Sequence, residues 1–214
     1  MANCFGDVVD NFKLDTMIRY VGQKKTREDR AREATNLQNE NSKHQKAVIH
    51  VDGLKWWWGT GVSTLCLLYN KTGDTLRYVA DNDWFGHMGP TPYPTEIGNG
   101  QWASFLHVKR TAVASGSMAG VVYRGKDSNG NERDFLVCWS SPWGALQRNR
   151  SYCEIGNVGS FQSRWGAIFN NVSNAALEWN ASRNLSSGRC SIHTSIGPRS
   201  SPYFTAYFSI PFSP

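Results

Sequence analysis

The stretch Ser117-Met-Ala-Gly-Val-Val-Tyr-Arg124 is apolar, and a second apolar stretch, Asp134-Phe-Leu-Val-Cys-Trp139, follows it after a short polar segment. That segment contains Asp127-Ser-Asn-Gly-Asn131. Aspartate, asparagine and glycine tolerate positive φ, so such a cluster between two apolar stretches indicates a tight turn. The two stretches are therefore predicted to form a β-hairpin.

The second strand of this hairpin is apolar on both faces. Phe135, Val137 and Trp139 alternate on one face, and Leu136 and Cys138 fall on the other. A strand that is apolar on both faces is typical of a position covered on both sides. We therefore expect it at the centre of a layered β structure, with residues 140–144 as an aromatic loop at its end.

The same reasoning predicts further strands and two helices along the chain. Strands are predicted at 47–51, 62–69, 75–80, 102–108, 152–155, 189–196 and 203–210. Long or polar loops are predicted at 38–46, 81–98 and 180–188. Apolar residues at helical spacing predict a helix at Gly159–Val172, and the capping-box pair Thr26 and Asp29 predicts one at Thr26–Asn39.

These elements predict a mainly β protein, a β-sandwich of about ten strands. The predicted organisation is an N-terminal extension, residues 1–46, and a β-sandwich domain, residues 47–214, in one structural domain overall. The Thr26–Asn39 helix has few apolar positions and is expected to be peripheral. Removal of residues 1–40 is therefore expected to leave a folded core.

Composition limits the possible classes of function. The 214 residues carry a net charge of +6, and the segment 141–214 holds six arginines but only two acidic residues. No apolar stretch approaches the ~20 residues of a membrane-spanning helix. The first residues lack the features of a signal peptide, and five cysteines without a CxxC motif are expected to be reduced, so a cytoplasmic location is expected. Cys66 and Cys138 are predicted to be buried thiols, and a Cys138–Cys153 disulfide is the first alternative to test.

The sequence shows no recognisable catalytic or metal-binding motif. GxSxG, HExxH and P-loop patterns are absent, and no pair of the five histidines has the spacing of metal ligands. His107 lies within a predicted strand and is interpreted as a hydrogen-bonded structural histidine. The sequence therefore predicts a non-catalytic binding protein without a metal or cofactor.

Several motifs resemble those of a plant family over nearly the whole chain. Thr64-Leu-Cys-Leu-Leu-Tyr-Asn70, Asn99-Gly-Gln-Trp-Ala-Ser-Phe-Leu-His-Val-Lys109, Val121-Val-Tyr-Arg-Gly-Lys126 and Trp139-Ser-Ser-Pro-Trp143 look like the jasmonate-induced proteins of the 23-kilodalton class. This resemblance implies a plant stress or defence protein without an established catalytic activity.

A second resemblance concerns the fold. Residues 114–123, Ser141-Pro142-Trp143 and the aromatic helix that follows are similar to the core of the actinoporins, whose β-sandwich is flanked by two helices and is shared with fungal fruit-body lectins. In actinoporins, the corresponding loop and helix form a choline-phosphate pocket. By position, this resemblance implies a pocket formed by Ser140, Pro142 and Trp143 on the loop and by Trp165 and Phe169 on the helix.

The residue chemistry independently suggests the same pocket. Aromatic faces can bind a quaternary ammonium group or stack on a sugar ring, and Arg148 and Arg150 could hold a phosphate at its mouth. The predicted partner is a glycan or a phospholipid head group, with peripheral membrane contact. The alternative interpretation is that Trp139, Trp165 and Phe169 are core residues and only Trp143 is exposed.

Three other possibilities remain open at this stage. The C-terminal arginines and the aromatic residues could bind nucleic acid, although the arginines are dispersed. A pore-forming cytolysin is a further alternative, but the N-terminal segment is charged, with Arg27, Arg30 and Arg32, and lysis is not expected. If the pocket lies elsewhere, the 84–94 loop with Trp84, His87 and Tyr93 is the next candidate.

Overall fold

The computed structural model describes residues 3–144, 147–175 and 189–212, together with the backbone of residues 181–186. The helices are α1 (Asn11–Asp15), α2 (Arg27–Asn36), α3 (Lys43–Trp58) and α4 (Trp165–Ser173), with short 3-10 helices at Ile18–Tyr20 and Glu40–Ser42. The strands are β1 (Cys4–Phe5), β2 (Ser63–Lys71), β3 (Leu76–Phe85), β4 (His87–Met88), β5 (Glu96–Ile97), β6 (Trp102–Val108), β7 (Ser117–Lys126), β8 (Glu132–Ser141), β9 (Arg150–Gly156), β10 (Ala181–Ser186), β11 (Ser191–Ile196) and β12 (Tyr203–Ser209).

Two sheets form the mainly β architecture that the sequence predicts. One sheet has the order β1-β6-β2-β12-β11-β10 with β4 paired to β6, and the other has the order β5-β3-β7-β8-β9. Strands β2 and β12 pair in parallel. The inner faces of the two sheets meet in a core. Strand β12 contributes Phe204, Ala206 and Phe208 to this core, the alternate residues that its sequence pattern places inward.

The predicted hairpin is confirmed as β7 and β8, and β9 pairs on the far side of β8. Phe135, Val137 and Trp139 lie in the core between the sheets, whereas Leu136 and Cys138 lie in a second cluster under α4. Strand β8 is thus buried on both faces, as its composition indicates.

Helix α2 forms where the capping box predicts it, but it is not peripheral. The Thr26 hydroxyl accepts a hydrogen bond from the Asp29 backbone N–H, and the Asp29 carboxylate accepts one from the Thr26 N–H. Its Ala31 and Ala34 are fully buried, and Ala31 belongs to the core between the sheets. Small side chains let the helix approach the sheet closely, so a weak apolar pattern conceals a tightly packed surface.

The strand predicted at 47–51 is instead part of helix α3, and the boundary predicted between residues 46 and 47 falls inside this helix. Ala47, Val51, Leu54 and Trp58 recur at i, i+4, i+7 and i+11, which is helical periodicity. They pack on the outer face of β2 and β6. The flanking helices of the sandwich are therefore α3 on one sheet and α4 on the other, not α2 and α4.

Three further boundaries differ from the predictions. Helix α4 begins at Trp165 rather than Gly159, because Gly159 has a positive φ of 76° and the chain turns there. Strand β3 continues to Phe85 into the predicted 81–98 loop. The backbone of Ala181–Ser186 pairs with β11 where the polar composition of 180–188 predicted a loop.

The cysteines are not joined by disulfides in the structure. Cys66 and Cys138 are fully buried, as predicted, and burial raises the pKa of both thiols well above the usual value. Cys138 and Cys153 lie on neighbouring strands but form no disulfide. In the part of the chain that the structure describes, no helix is long and apolar enough to cross a membrane.

Candidate functional site

A cavity of about 860 Å³ opens at one end of the sandwich. We call this the open end; here β2 and β7 begin and β8 ends, as the hydrogen bonds of Thr64 to Ser117 and Ser141 show. The cavity is lined by Phe85, Ala114, Ser115, Gly116, Met118, Ser140, Ser141, Pro142, Trp143, Gly144, Gln147, Arg148, Arg150 and Ser173. It therefore lies where the central β8 strand enters the aromatic loop.

The floor of the cavity depends on a close approach of two chain segments. A methyl group built on Gly116 would lie 2.3 Å from the carbonyl oxygen of Ser141 and 2.9 Å from the Cα of Pro142. Only glycine allows this distance, so Gly116 lets the 114–116 segment pack directly against the 140–144 loop. The 140–144 loop is thus packed against the 114–116 segment beside the cavity.

One wall of the cavity is aromatic. Trp143 is 59% exposed and Phe85 is 44% exposed, which is unusual for side chains of this size. The Phe85 ring lies 6.2 Å from Phe169, and the neighbouring Trp84 ring lies 5.9 Å from Trp165. Phe85 is thus supported from behind by aromatic residues of α4.

Two arginines also line the cavity. Arg148 is exposed, whereas Arg150 is half-buried and its Nη1 donates a hydrogen bond of 2.6 Å to the Ala175 carbonyl oxygen. Asn149, between them, donates to the carbonyl oxygens of Gly197 and Arg199 at 2.7 Å each. These contacts fix the entry into β9 and so position both guanidinium groups beside the cavity.

A hydrogen-bonded chain lies directly behind the cavity. The Ser141 hydroxyl is 3.0 Å from that of Thr64, which is 2.8 Å from that of Ser117. Ser117 Oγ is 2.8 Å from Nδ1 of His107, and the His107 Nε2 is 3.1 Å from Asp83 Oδ1. The hydrogen-bonded chain therefore crosses between the two sheets and runs from the cavity wall on β8 to Asp83 on β3 of the same sheet.

The Asp83–His107–Ser117 arrangement contains the residue types of a hydrolase triad, but its nucleophile is inaccessible. Ser117 and His107 are both fully buried. Burial lowers the pKa of His107, and the nearby Asp83 opposes this only in part, so the ring is neutral at pH 7. A neutral ring that donates from Nε2 to Asp83 must accept at Nδ1 from Ser117. His107 is a structural histidine, as its place in a strand suggests.

Five of the seven predicted site residues line the cavity: Ser140, Pro142, Trp143, Arg148 and Arg150. Trp165 and Phe169 are not among the described residues that line it; both are half-buried and pack on Trp84 behind Phe85. Phe85 takes the place predicted for them. The sequence pattern predicts that this strand ends at residue 80 and so does not place Phe85 at the cavity.

The structure does not bring together Trp84, His87 and Tyr93, the alternative site predicted in the 84–94 segment. Trp84 packs against α4, Tyr93 packs between the sheets against Phe105 at a ring distance of 5.0 Å, and His87 is exposed at the start of β4. Among the described residues, no group of three or more His, Cys, Asp and Glu side chains is placed to hold a metal ion.

Comparisons with known proteins match the chain over most of its length. The model of a family described as Nakanori-like protein matches residues 5–210. The "23 kDa jasmonate-induced protein" of Hordeum vulgare is 42% identical over 148 residues, which cover 68% of this chain and 70% of that protein. This confirms the resemblance to the jasmonate-induced proteins.

The superposition on one solved structure confirms the predicted sandwich, in agreement with the two sheets described above. The crystal structure of the lipid-binding protein Nakanori superposes with a TM-score of 0.85 at 25% sequence identity, covering 96% of this chain and 99% of that one. The Xerocomus chrysenteron lectin XCL superposes with a TM-score of 0.44 at 11% identity, covering 70% of this chain and 100% of that one.

Proposed function

The chain belongs to the Nakanori-like protein family, and we propose that it binds the head group of a phosphocholine-type lipid in the cavity at the open end. It does so without catalysis, as a plant stress or defence protein. The observation that carries this proposal is the composition of the cavity, whose lining combines exposed aromatic rings with arginines.

The two kinds of lining residue match the two charges of such a head group. Trp143 and Phe85 offer ring faces to a quaternary ammonium group, an interaction worth about 0.5–2 kcal/mol. Arg148 and Arg150 offer guanidinium donors to the phosphate. A cavity of about 860 Å³ is also large enough for a head group and the first atoms of its lipid chains.

The relatives favour lipid over other ligands. The solved structure that superposes on nearly the whole chain is described as lipid binding. Nucleic acid is less favoured because Arg148 and Arg150 lie at the open end, whereas Arg164 pairs with Glu154 on the outside of α4. Pore formation is disfavoured because the N-terminal segment is held against the sandwich by the buried Asn99 side chain, which donates to the Val9 and Arg30 carbonyl oxygens.

A glycan is the second candidate, and the exposure of Trp143 favours it, since a flat exposed indole can stack on a sugar ring. The two candidates share the cavity. They differ in what the arginines bind: a phosphate in the first case, and hydroxyl groups in the second.

The test is the Trp143→Ala variant, with binding to phosphatidylcholine vesicles and to a glycan array measured on the same protein. We expect vesicle binding to weaken about tenfold or more, by analogy with the value of a stacked aromatic side chain. The melting temperature should barely change, because the side chain is 59% exposed. Phe12→Ala is the matched control, since Phe12 is 81% exposed but is not part of the cavity lining.

Three outcomes would contradict the proposal. Normal vesicle binding by Trp143→Ala would place the site elsewhere, and unfolding of the variant would make Trp143 a core residue. Binding of the unmodified protein to glycans but not to vesicles would select the second candidate.

A further inference from the structure

Helix α3 ends in two exposed tryptophans that the cavity does not use. Trp56 is 85% exposed and Trp57 is 71% exposed, and both lie in the last turn of the helix. Tryptophan is among the largest apolar side chains and rarely lies this open to water in adjacent positions. We call residues 56 and 57 the tryptophan tip.

The tryptophan tip is held rigidly. Lys55 Nζ donates to the carbonyl oxygens of Gly59 and Gly61 at 2.8 Å each, which caps the end of the helix. The same ammonium group lies 4.7 Å from the centre of the Trp58 ring, and Trp58 packs into the cluster between α3 and its sheet. The backbone that carries the exposed rings is therefore held in place, so little backbone entropy is lost when they bind.

The tip lies at the same end of the sandwich as the cavity. Helix α3 begins at the opposite end, where Lys43 Nζ donates to the Gly100 carbonyl oxygen, and it finishes just before β2 begins. Lys109, next to Gly61 in space, donates from Nζ to the Val113 carbonyl oxygen at 3.1 Å. The residues that follow Val113 line the cavity.

The surface between the tip and the cavity is basic and partly apolar. Lys55, Lys109 and Arg110 contribute positive charge, and Val113 is 50% exposed between them and the cavity. Tryptophan combined with lysine and arginine is the composition found at the polar boundary of bilayers, where an indole lies among the head groups and cations meet lipid phosphates.

We propose that the tryptophan tip inserts into the head-group region of a phospholipid bilayer while the cavity binds one lipid of the same bilayer. This inference rests on the proposed function, since it is the cavity that makes the open end face a membrane. One flat surface can contact the tip, the basic segment and the cavity mouth together. The contact is shallow, because the described helices are too short or too polar to span a bilayer.

A bilayer fits this surface better than a protein partner does. The apolar residues are separated by cations and lie at the rim of a ligand cavity, whereas a protein interface would gather its aromatic residues in a central patch that excludes water. Self-association through the tip is the competing outcome, and the experiment must detect it.

The experiment compares the variant Trp56→Ser/Trp57→Ser with the unmodified protein in two assays. One is co-sedimentation with vesicles of phosphatidylcholine and a minor fraction of phosphatidylserine, and the other is calorimetric binding of soluble phosphocholine. We expect vesicle binding to fall by about tenfold or more, since it scales with the apolar area inserted, while phosphocholine binding is unchanged. Trp143→Ala should lose both, which separates the tip from the cavity.

Ile49→Ser is the matched control, because Ile49 lies on the same helix and is 62% exposed but is about two turns from the tip. It should leave vesicle binding unchanged; an equal loss would mean that α3 contacts the membrane along its side, which would overturn the end-on arrangement. The melting temperature of the double variant should match that of the unmodified protein, because both rings are exposed.

The remaining outcomes decide between this inference and the proposed function. Unchanged vesicle binding by the double variant would overturn the inference. So would a dimer of the unmodified protein, seen in sedimentation velocity, that the double variant dissociates. If the unmodified protein binds vesicles through the tip but does not bind phosphocholine, the proposed function fails while the tip remains a membrane contact.

Discussion

The two ends of the sandwich use their polar side chains differently. At the open end, large aromatic rings and arginines surround a cavity and face solvent. At the opposite end, where β2 finishes and β6 begins, the N-terminal segment covers the sandwich and buried polar groups are bonded to its backbone. We call this the closed end.

Asn99 organises the closed end. Its side chain is buried, its Nδ2 donates to the carbonyl oxygens of Val9 and Arg30 at 2.8 and 3.0 Å, and its Oδ1 accepts from the Gly73 N–H at 2.8 Å. Trp102 likewise donates from Nε1 to the Gln38 carbonyl oxygen at 3.0 Å. The bonds to the carbonyl oxygens of Val9, Arg30 and Gln38 join the N-terminal segment to the sheets.

The burial of Lys43 differs from the exposure of charged side chains at the open end. It is 1% exposed, and its Nζ donates to the Gly100 carbonyl oxygen at 2.7 Å. Burial lowers its pKa, partly opposed by Glu40. A cation at the closed end is thus buried, whereas Arg148 at the open end is exposed at the rim of a cavity. The difference teaches that the same residue classes stabilise the fold at one end and remain accessible to a ligand at the other.

Deletion of residues 1–40 is the largest test of this comparison. The sequence predicts that a folded core remains, whereas the contacts of the N-terminal segment lead us to expect unfolding. Deletion removes both acceptors of Asn99 Nδ2 and the partners of Trp102 and of Tyr69, whose hydroxyl donates to the Ala34 carbonyl oxygen. Buried groups without partners cost about 1–3 kcal/mol each, against a total stability of about 5–15 kcal/mol. We expect loss of the cooperative thermal transition and of near-ultraviolet circular dichroism.

The control for this deletion is a change of exposed residues in the same segment. Ile18 is 94% exposed, so Ile18→Ser should melt like the unmodified protein. A soluble truncated protein with a sharp transition would show that the closed end is not needed for folding.

Asn99→Ala is a finer test at the same end. It removes three side-chain hydrogen bonds in a buried place and leaves the Gly73 N–H without this acceptor, so the free energy of unfolding should fall by about 2–4 kcal/mol. Vesicle binding by the folded protein should be unchanged, since Asn99 lies at the closed end. Urea denaturation measures the first quantity and co-sedimentation the second.

Asn129→Ala provides the matched control, because Asn129 is exposed in the β7–β8 turn. Its effect should remain within about 0.5 kcal/mol. An equal effect at Asn99 and Asn129 would mean that the bonds of Asn99 add little stability.

The sequence predicts the β core well because burial there leaves a local pattern. Residues of β8 are apolar on both faces, and β12 alternates, so their place in the sandwich follows from residue order alone. The aromatic loop after β8 is predicted for the same reason, because a buried strand must be followed by a loop at the surface.

The closed end could not be predicted in this way because its contacts are distant in sequence. The bond from Asn99 to Val9 joins residues 90 positions apart, and a polar Asn-Gly pair reads as an ordinary turn. Helix α3 could have been found: Ala47, Val51 and Leu54 have helical spacing, but residues 47–51 alone resemble a strand. Phe85 was missed because its role depends on strand pairing with β7, not on its neighbours.

The smallest expected effect is a pH dependence of stability that arises at the open end. His107 is fully buried, and burial lowers its pKa below the ordinary 6.5, against the opposing effect of Asp83. At a pH between the lowered pKa of His107 in the folded protein and its ordinary value of 6.5 in the unfolded chain, the unfolded chain binds a proton at His107 that the folded protein does not. His107 therefore has no such destabilising effect at higher pH, and stability falls as the pH drops below about 6.5.

Urea denaturation at about pH 7.5 and about pH 5.5 measures this effect. The unmodified protein should be less stable at the lower pH, by less than the effect of Asn99→Ala, and His107→Gln should reduce the difference. His44, His50 and His193 also have pKa values lowered chiefly by burial, so part of the difference should remain in the variant. Greater stability at the lower pH, or a His107 imidazole that titrates above 6.5 in NMR, would mean that Asp83 outweighs burial. In that case His107 would be charged in the folded protein, and both ring nitrogens would donate. The Ser117 hydroxyl could then no longer donate to His107 Nδ1, and its proton would turn to the His107 carbonyl oxygen at 3.2 Å or to Thr64 in the hydrogen-bonded chain that reaches Ser141 at the cavity wall.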